Sequence, residues 1–312
     1  MRSECTVVKK IKAGSSQLEV AQISLGCMRI AELSPKEADV HIHSAVEAGI
    51  DFFDHADIYA GGKAEEVFGD VIAASPGMRE QLMIQTKCGI RHGFFDFSKE
   101  HIVQSVENSL KRLKTDYVDV LLLHRPDTLM EPEEVAEAFD YLEQKGMVKH
   151  FGVSNLNPLQ IELLKKNVKQ PLLFNQLQLS IMVSGMIDAG FNVNMTNSAS
   201  VVHDGGILEY SRLHDMTIQP WSPFQYGFFE GVFLGNDKFP ELNEVIGRLA
   251  AEKGVADTAI AIAWLLRHPA SMQPIVGTTN TQRLLDIAKA SDITLTRQEW
   301  YEIYRAAGNK LP

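Results

Sequence analysis

The stretch Asp51-Phe52-Phe53-Asp54-His55-Ala56-Asp57-Ile58-Tyr59 passes from an apolar run into a cluster of acid-base side chains. Ile50 to Phe53 is too short and too apolar for an amphipathic helix, and Gly49 breaks whatever precedes it. It reads as a short buried strand, with Asp54, His55, Asp57 and Tyr59 crowded where the strand gives out. In α/β architectures the C-terminal ends of strands carry the chemistry. Two later apolar runs end the same way: Leu82-Met83-Ile84-Gln85-Thr86-Lys87 on a lysine, and Val120-Leu121-Leu122-Leu123-His124 on a histidine. Each has a bland explanation. Asp and Tyr suit turns, Asp54 with Lys87 could be an ion pair that only closes the fold, and His124 a hydrogen-bonded core histidine. All four on three consecutive strand ends are harder to dismiss.

Together they suit reduction of a carbonyl. A carbonyl that accepts hydride needs a proton on its oxygen, which Tyr59 can supply, although free tyrosine has a pKa of about 10. A lysine cation beside it favours the phenolate. At ~4 Å and an effective dielectric of ~20 the attraction reaches ~4 kcal/mol, or ~3 pKa units before desolvation opposes it. A lysine at the end of an apolar strand is costly unless a carboxylate neutralises it, which is the part for Asp54. Neutral His124 would donate a hydrogen bond that orients the carbonyl.

These strand ends need a frame that sets them side by side. Cys5 to Lys12 and Gln17 to Ala21, around Ala13-Gly14-Ser15-Ser16, read as a hairpin placed to plug one end of a barrel. Gln22 to Met28 is the first strand. Ser34-Pro35-Lys36-Glu37 opens a helix with Ser34 as cap, Pro35 first and Glu37 closing a capping box. Strand and helix then alternate: a strand near 51–56 and a helix near 64–74; Leu82 to Lys87 and Ser98 to Leu113; Val118 to His124 and Pro132 to Lys145; Val148 to Val153 and Pro158 to Lys166. Leu172 to Leu177 is followed by a long polar segment, 181–206, and a helix near 206–214. Thr217 to Trp221 precedes helices Pro240 to Lys253 and Thr258 to Leu266. Gln273 to Val276 precedes Thr281 to Ala290, and a helix near 296–307 closes the chain. Such alternation implies parallel strands with right-handed crossovers. Eight units without a composition break suggest an α/β fold, a (β/α)8 TIM barrel forming one domain over residues 1–312, its bottom capped by the hairpin. A doubly wound Rossmann sheet is disfavoured because no G-x-G-x-x-G follows any strand.

Composition narrows the partners. The chain has 312 residues, 45% hydrophobic and 22% charged, enough for a large core. A net charge of −10 argues against nucleic acid or anionic membrane as partner. Cys5, Cys27 and Cys88 make no C-x-x-C spacing, which suits a reduced cytoplasmic protein. No signal peptide or membrane span is read. His41-Ile42-His43 has the look of a metal-binding H-x-H, but inside a helix positions i and i+2 do not face each other, so no metal is expected.

Several pieces resemble the aldo-keto reductase superfamily, and most of all a bacterial oxidoreductase branch of it. They are Asp54-x4-Tyr59, Thr86-Lys87, Leu123-His124-Arg125-Pro126-Asp127, Phe151-Gly152-Val153-Ser154-Asn155, Asn175-Gln176, Trp221-Ser222-Pro223 and Ile275-Val276-Gly277-Thr278-Thr279. They span nearly the whole chain, and their order is more specific than any one of them. The resemblance implies an NADPH-dependent carbonyl reductase, NADH also being possible, with Asp54, Tyr59, Lys87 and His124 as its tetrad. Its substrate would be a small carbonyl compound, and the protein a monomer or weak oligomer. A cofactor-binding, redox-sensing regulatory barrel with little turnover is the alternative. By the same resemblance Ser154, Asn155 and Gln176 bind the nicotinamide carboxamide, although Asn155 or Asn157 could equally cap the helix at Pro158. Trp221 stacks on the nicotinamide, and the loop from Ser222, Pro223 and Phe224 to Gly231 covers the pyrophosphate. Gly277, Thr278 and Thr279 meet the adenosine end, Arg283 the 2′-phosphate and Asp286 the adenine. Many relatives carry lysine in place of Gly277 and Glu-Asn in place of Asp286-Ile287, which leaves the phosphate preference resting on Arg283.

Overall fold

The computed structural model describes residues 7–312. Eight parallel strands form its core: β1 (Ser24–Gly26), β2 (Phe52–Asp54), β3 (Met83–Cys88), β4 (Val118–Leu123), β5 (Val148–Ser154), β6 (Leu172–Gln178), β7 (Thr217–Trp221) and β8 (Ile275–Val276). The ladder runs β7-β6-β5-β4-β3-β2-β1-β8. It closes on itself through a parallel bridge between Ile218 and Met272, held by Ile218 N–H to the Ser271 carbonyl and Gln273 N–H to the Ile218 carbonyl, both 2.9 Å. Closure leaves the eight-stranded sheet without an edge strand, so the expected (β/α)8 barrel is what the chain forms.

Helices wrap the barrel: α1 (Pro35–Glu47), α2 (Lys63–Ala74), α3 (Lys99–Leu113), α4 (Pro132–Gln144), α5 (Pro158–Lys165), α6 (Gly185–Phe191), α7 (Ile207–Leu213), α8 (Pro240–Lys253), α9 (Asp257–Leu266), α10 (Thr281–Ala288) and α11 (Arg297–Ala306). Their starts follow local chemistry. Ser34 and Glu37 form the expected capping box on α1, and Thr296 and Glu299 form another on α11. α9 is buried from Ala259 to Leu265, and Trp264 stacks on Trp300 of α11 with ring centroids 4.7 Å apart. Each indole N–H donates to the other residue's carbonyl, at 3.1 and 3.0 Å, which ties α11 to the wall.

The hairpin pairs Lys10–Lys12 with Glu19–Ala21; the first residues of the expected strand, Cys5 among them, lie outside the described residues. Its turn presses on the N-terminal ends of β6 and β7. Gly14 N–H donates to Thr217 Oγ1 at 2.8 Å, and a Cβ on Gly14 would stand 2.7 Å from the Leu173 carbonyl oxygen. Only glycine fits there. The hairpin therefore does cap the barrel bottom, away from the strand ends that carry Asp54 and Lys87.

Two expected loops carry structure. Residues 90–95 form a second hairpin, Ile90–Arg91 with Phe94–Phe95, after β3. The segment 181–206 holds α6 and a 3-10 turn at Ser198–Ser200. α6 is short and holds two glycines, so the sequence marks it weakly; its anchor is Ile187, with Phe191 packed edge-on to Tyr304 at 5.3 Å. A stretch from Val193 to His203 follows, exposed except at the half-buried Ser200. Limited proteolysis should cut within that exposed stretch before any other. Release of two separately stable halves would contradict one closed barrel over 1–312.

Candidate active site

Strand alternation sorts the side chains of β2 and β3 between barrel interior and helix layer. Phe53 and His55 turn outward onto Phe68 of α2, with centroids at 5.0 and 4.5 Å. Thr86 also turns outward, donating to Glu65 of α2 at 2.6 Å; Glu65 in turn accepts from Arg112 of α3 at 2.7 Å. Asp54, Gln85 and Lys87 are left inside.

Lys87 is 0% exposed and Asp54 2%. The ammonium donates to both carboxylate oxygens at 2.8 Å and to the His55 carbonyl at 2.7 Å, so all three of its protons are used. Burial alone would pull the Lys87 pKa down, but Asp54 and then Tyr59 outweigh it, and the pKa ends above its ordinary value. The lysine is a fixed cation at neutral pH.

Asp54 Oδ1 also accepts from Gln85 at 2.6 Å and Gln176 at 2.9 Å. These amides begin a buried ladder. Gln85 and Gln219 bond reciprocally at 2.9 and 3.1 Å, Gln219 donates to Gln273 at 2.8 Å, and Gln273 donates to the Ala21 carbonyl of the bottom hairpin at 2.6 Å. Four glutamines from β3, β6, β7 and the lead-in to β8 thus run from the barrel floor to Asp54. Gln85 and Gln219 escaped the reading of the sequence. Their signal was an amide inside an apolar strand, two residues before Lys87 and before Trp221 respectively.

Tyr59 begins a 3-10 turn just past β2. Lys87 Nζ lies 4.8 Å from its ring centroid, and the His124 ring meets it edge-on at 6.0 Å. The four residues expected together are together. The Tyr59 pKa, however, is raised: burial is the largest cause, and the pull of Lys87 does not overcome it. The expectation of a lowered phenol pKa is corrected accordingly, and Tyr59 is a phenol at neutral pH. His124 is held well below its ordinary pKa, by burial first, then by Lys87 and Arg125, and is neutral. Its Nδ1 is buried without a partner, and Nε2 makes no hydrogen bond among the described residues.

The remaining candidates line the same end of the barrel. Asn157, not Asn155, caps α5, accepting from Gln160 N–H at 3.0 Å. Asn155 is instead left-handed at φ 61, donates to Ser154 Oγ at 2.8 Å, and accepts from the Trp221 indole at 3.1 Å. Ser154 donates to the Gln176 carbonyl at 2.9 Å. Gln176 spends its amide protons on Asp54 and Gln219, leaving only its side-chain oxygen for a ligand. Trp221 has Phe229 nearly parallel at 6.1 Å and Arg125 at 5.5 Å. Ser222 is left-handed at φ 53, Pro223 is buried, and Phe224 packs against the core. Thr278 is buried beside Gly277 and Thr279, just before α10. Arg283 is exposed and makes no ion pair among the described residues, whereas Asp286 pairs with Lys289, just past the end of α10, at 3.1 Å. His41 braces this corner: its Nε2–H donates to the Thr278 carbonyl at 2.9 Å and its Nδ1 accepts from Thr281 at 3.0 Å.

Neutral buried histidines make stability depend on pH. His55 has no partner on either ring nitrogen among the described residues, and burial first, then Lys87, hold its pKa down to about 3. The unfolded chain takes a proton near pH ~6.5 that the folded chain refuses. The stabilising contribution is therefore complete above that pH and is lost as pH falls toward the folded value. Linkage gives about 1.4 kcal/mol per pH unit per such group, so His55 costs about 2 kcal/mol between pH ~6.5 and ~5. His124 adds a loss of the same sign. Asp57, raised to about 6 by burial first and Glu65 second, acts in the opposite direction and offsets part of it. Urea unfolding should show a lower midpoint at pH 5 than at pH 7, and His55→Phe should shrink the gap. Equal midpoints in the parent protein would refute the buried-histidine assignment.

Comparison with known proteins places the chain in a family. Residues 22–307 match the profile described as the aldo/keto reductase family. A 6-dehydroglucose reductase of Agrobacterium fabrum (strain C58) is 37% identical over 310 residues, covering 95% of this chain and 97% of the relative. A second protein of that name, from Novosphingobium aromaticivorans, is 34% identical over 96% of both chains. The crystal structure of an aldo-keto reductase from Klebsiella pneumoniae in complex with NADPH superposes with a TM-score of 0.77 at 24% identity, covering 96% of this chain and 95% of that one. With a barrel of this topology and a profile match running from before β1 into α11, the chain belongs to the aldo/keto reductase family.

Proposed function

We propose that the protein reduces aldehydes or ketones to alcohols with a reduced nicotinamide dinucleotide, NADPH in preference to NADH. The observation that carries this reading is Lys87, neutralised by Asp54, 4.8 Å from the Tyr59 ring while neutral His124 meets the same ring edge-on. Membership of the family supports the reaction class, and the two 6-dehydroglucose reductases support a sugar-derived aldehyde as substrate.

The residues fit a dinucleotide. Gln176 has spent both amide protons and keeps its side-chain oxygen for a ligand, His124 Nε2 makes no hydrogen bond among the described residues, and Trp221 is pinned by Asn155 at the mouth. Stacking of a nicotinamide on Trp221 requires Phe229, a mostly exposed side chain, to move aside. Thr278 and Thr279 precede the N-terminus of α10, where anions bind well, and Arg283 has no competing carboxylate among the described residues. When bound, the dinucleotide supplies the hydride.

The protein's own residues then move the proton. His124 Nε2–H holds the carbonyl oxygen, and its depressed pKa keeps the ring a neutral donor. Tyr59 gives its phenolic proton to that oxygen as the alcohol forms. The phenolate left behind is stabilised by Lys87 and is reprotonated from solvent. The raised resting pKa keeps Tyr59 charged with its proton, and Lys87 limits the cost of giving it up. Asp54 touches neither carbonyl nor phenol; it holds Lys87 as a cation in a place where an unpaired one could not remain.

Tyr59→Phe keeps the ring and removes the proton. Turnover with NADPH and an aldehyde should fall roughly 10²–10⁴-fold while NADPH affinity, read by tryptophan quenching, is unchanged. Near-normal turnover would show that another group donates. Arg283→Ala should weaken NADPH by about 1.5–3 kcal/mol and leave NADH nearly untouched, since only NADPH carries the 2′-phosphate. Equal losses for the two dinucleotides would remove Arg283 from phosphate recognition.

A further inference from the structure

Arg125 follows His124 and has no role in the proton path above. It is partly buried, yet makes no ion pair or hydrogen bond among the described residues. Its guanidinium carbon lies 5.5 Å from the Trp221 ring and 6.0 Å from the Phe228 ring. Its charge also reaches both reacting groups: it helps depress His124, and it feels the Tyr59 phenol. By position, the side chain follows directly on His124 at the end of β4 and lies against Trp221 at the same end of the barrel.

The surroundings are as informative as the charge. Phe228 and Phe229 are 62% and 54% exposed and meet each other edge-on at 5.0 Å. Phe228 thus leaves an exposed apolar ring beside an unspent cation. Rings of this kind accept the C–H face of a pyranose. A guanidinium braced by aromatic faces offers five N–H donors in a fixed fork, which suits two adjacent oxygens. An alkyl aldehyde has nothing to satisfy that fork, and would strip water from it on binding.

We propose that Arg125, braced by Trp221 and Phe228, is a substrate-binding residue that reads a vicinal pair of hydroxyls, so that polyhydroxylated, sugar-type aldehydes are selected over alkyl ones. This rests on the carbonyl-reductase reading above. Arg125 fixes the body of the substrate, and Tyr59 and His124 act on its carbonyl.

Two six-carbon aldehydes test it, 6-dehydroglucose and hexanal, each reduced with NADPH by the parent protein and by Arg125→Met and Arg125→Lys. Met keeps length and apolar contact with Trp221 and loses the donors. The parent should favour 6-dehydroglucose in kcat/KM. Arg125→Met should lose roughly 10- to 100-fold in kcat/KM on that substrate, mainly through KM, and stay within about 2-fold on hexanal. Arg125→Lys, which keeps charge without the fork, should fall between and serves as the readout if the Met variant does not fold. NADPH quenching should be the same in all three. Equal losses on both aldehydes, or no loss on 6-dehydroglucose, would overturn the role of Arg125 while leaving carbonyl reduction intact. Failure of the parent to reduce either aldehyde would overturn the reductase reading itself, and this inference with it.

Discussion

The buried ion pair between Lys87 and Asp54 sets the terms for the rest of the site. Removing two charges from water costs several kcal/mol each, and their attraction repays this only when geometry is good and every remaining proton and lone pair is occupied. Here that condition is met from all sides. Lys87 spends its protons on the two oxygens of Asp54 and on the His55 carbonyl, and Asp54 Oδ1 takes two glutamine amides besides the lysine. A pair so enclosed can sit at 0–2% exposure and still present its positive end to Tyr59. Burial depresses His124 and His55 first, and the lysine of the pair adds to it in both.

The glutamine ladder explains how a barrel interior tolerates that charge. A wholly apolar core would leave Asp54 with one partner and an uncompensated lone pair. Gln85, Gln176, Gln219 and Gln273 each satisfy one another, and the last donor reaches the hairpin that closes the barrel floor. A half-satisfied network would be worse than none. The floor hairpin is thus part of the support for the ceiling chemistry, and Gly14, which lets the hairpin turn approach β6, matters to both.

Much of this was legible in the residues themselves. Phe52-Phe53-Asp54 and Gln85-Thr86-Lys87 obey a period of two, so the strand ends and their inward side chains could be placed without coordinates. Capping at Ser34 was readable because a cap is local. What required three dimensions was every decision settled by partners distant in sequence. Asn155 and Asn157 look alike before Pro158; the cap that Asn157 makes with Gln160 is local, but the role of Asn155 is set by the indole of Trp221, far along the chain. The shift of Tyr59 depended on a contest between burial and Lys87 that sequence cannot weigh. Helix α6 is only two turns long and holds Gly185 and Gly190, so no helical period announces it, and the partner of its Phe191, Tyr304, lies near the end of the chain.

The central claim is that Tyr59 rests as a protonated donor, its ionisation opposed by burial and eased by Lys87. An ultraviolet titration of the tyrosinate band, taken as the difference between the parent protein and Tyr59→Phe, measures this directly. Tyr59 should show no ionisation at neutral pH and should titrate above the ordinary tyrosine pKa of about 10, moving higher still in Lys87→Met, where the buried Asp54 is left without its cation. A Tyr59 phenolate present at neutral pH, or a titration unmoved by the loss of Lys87, would contradict it.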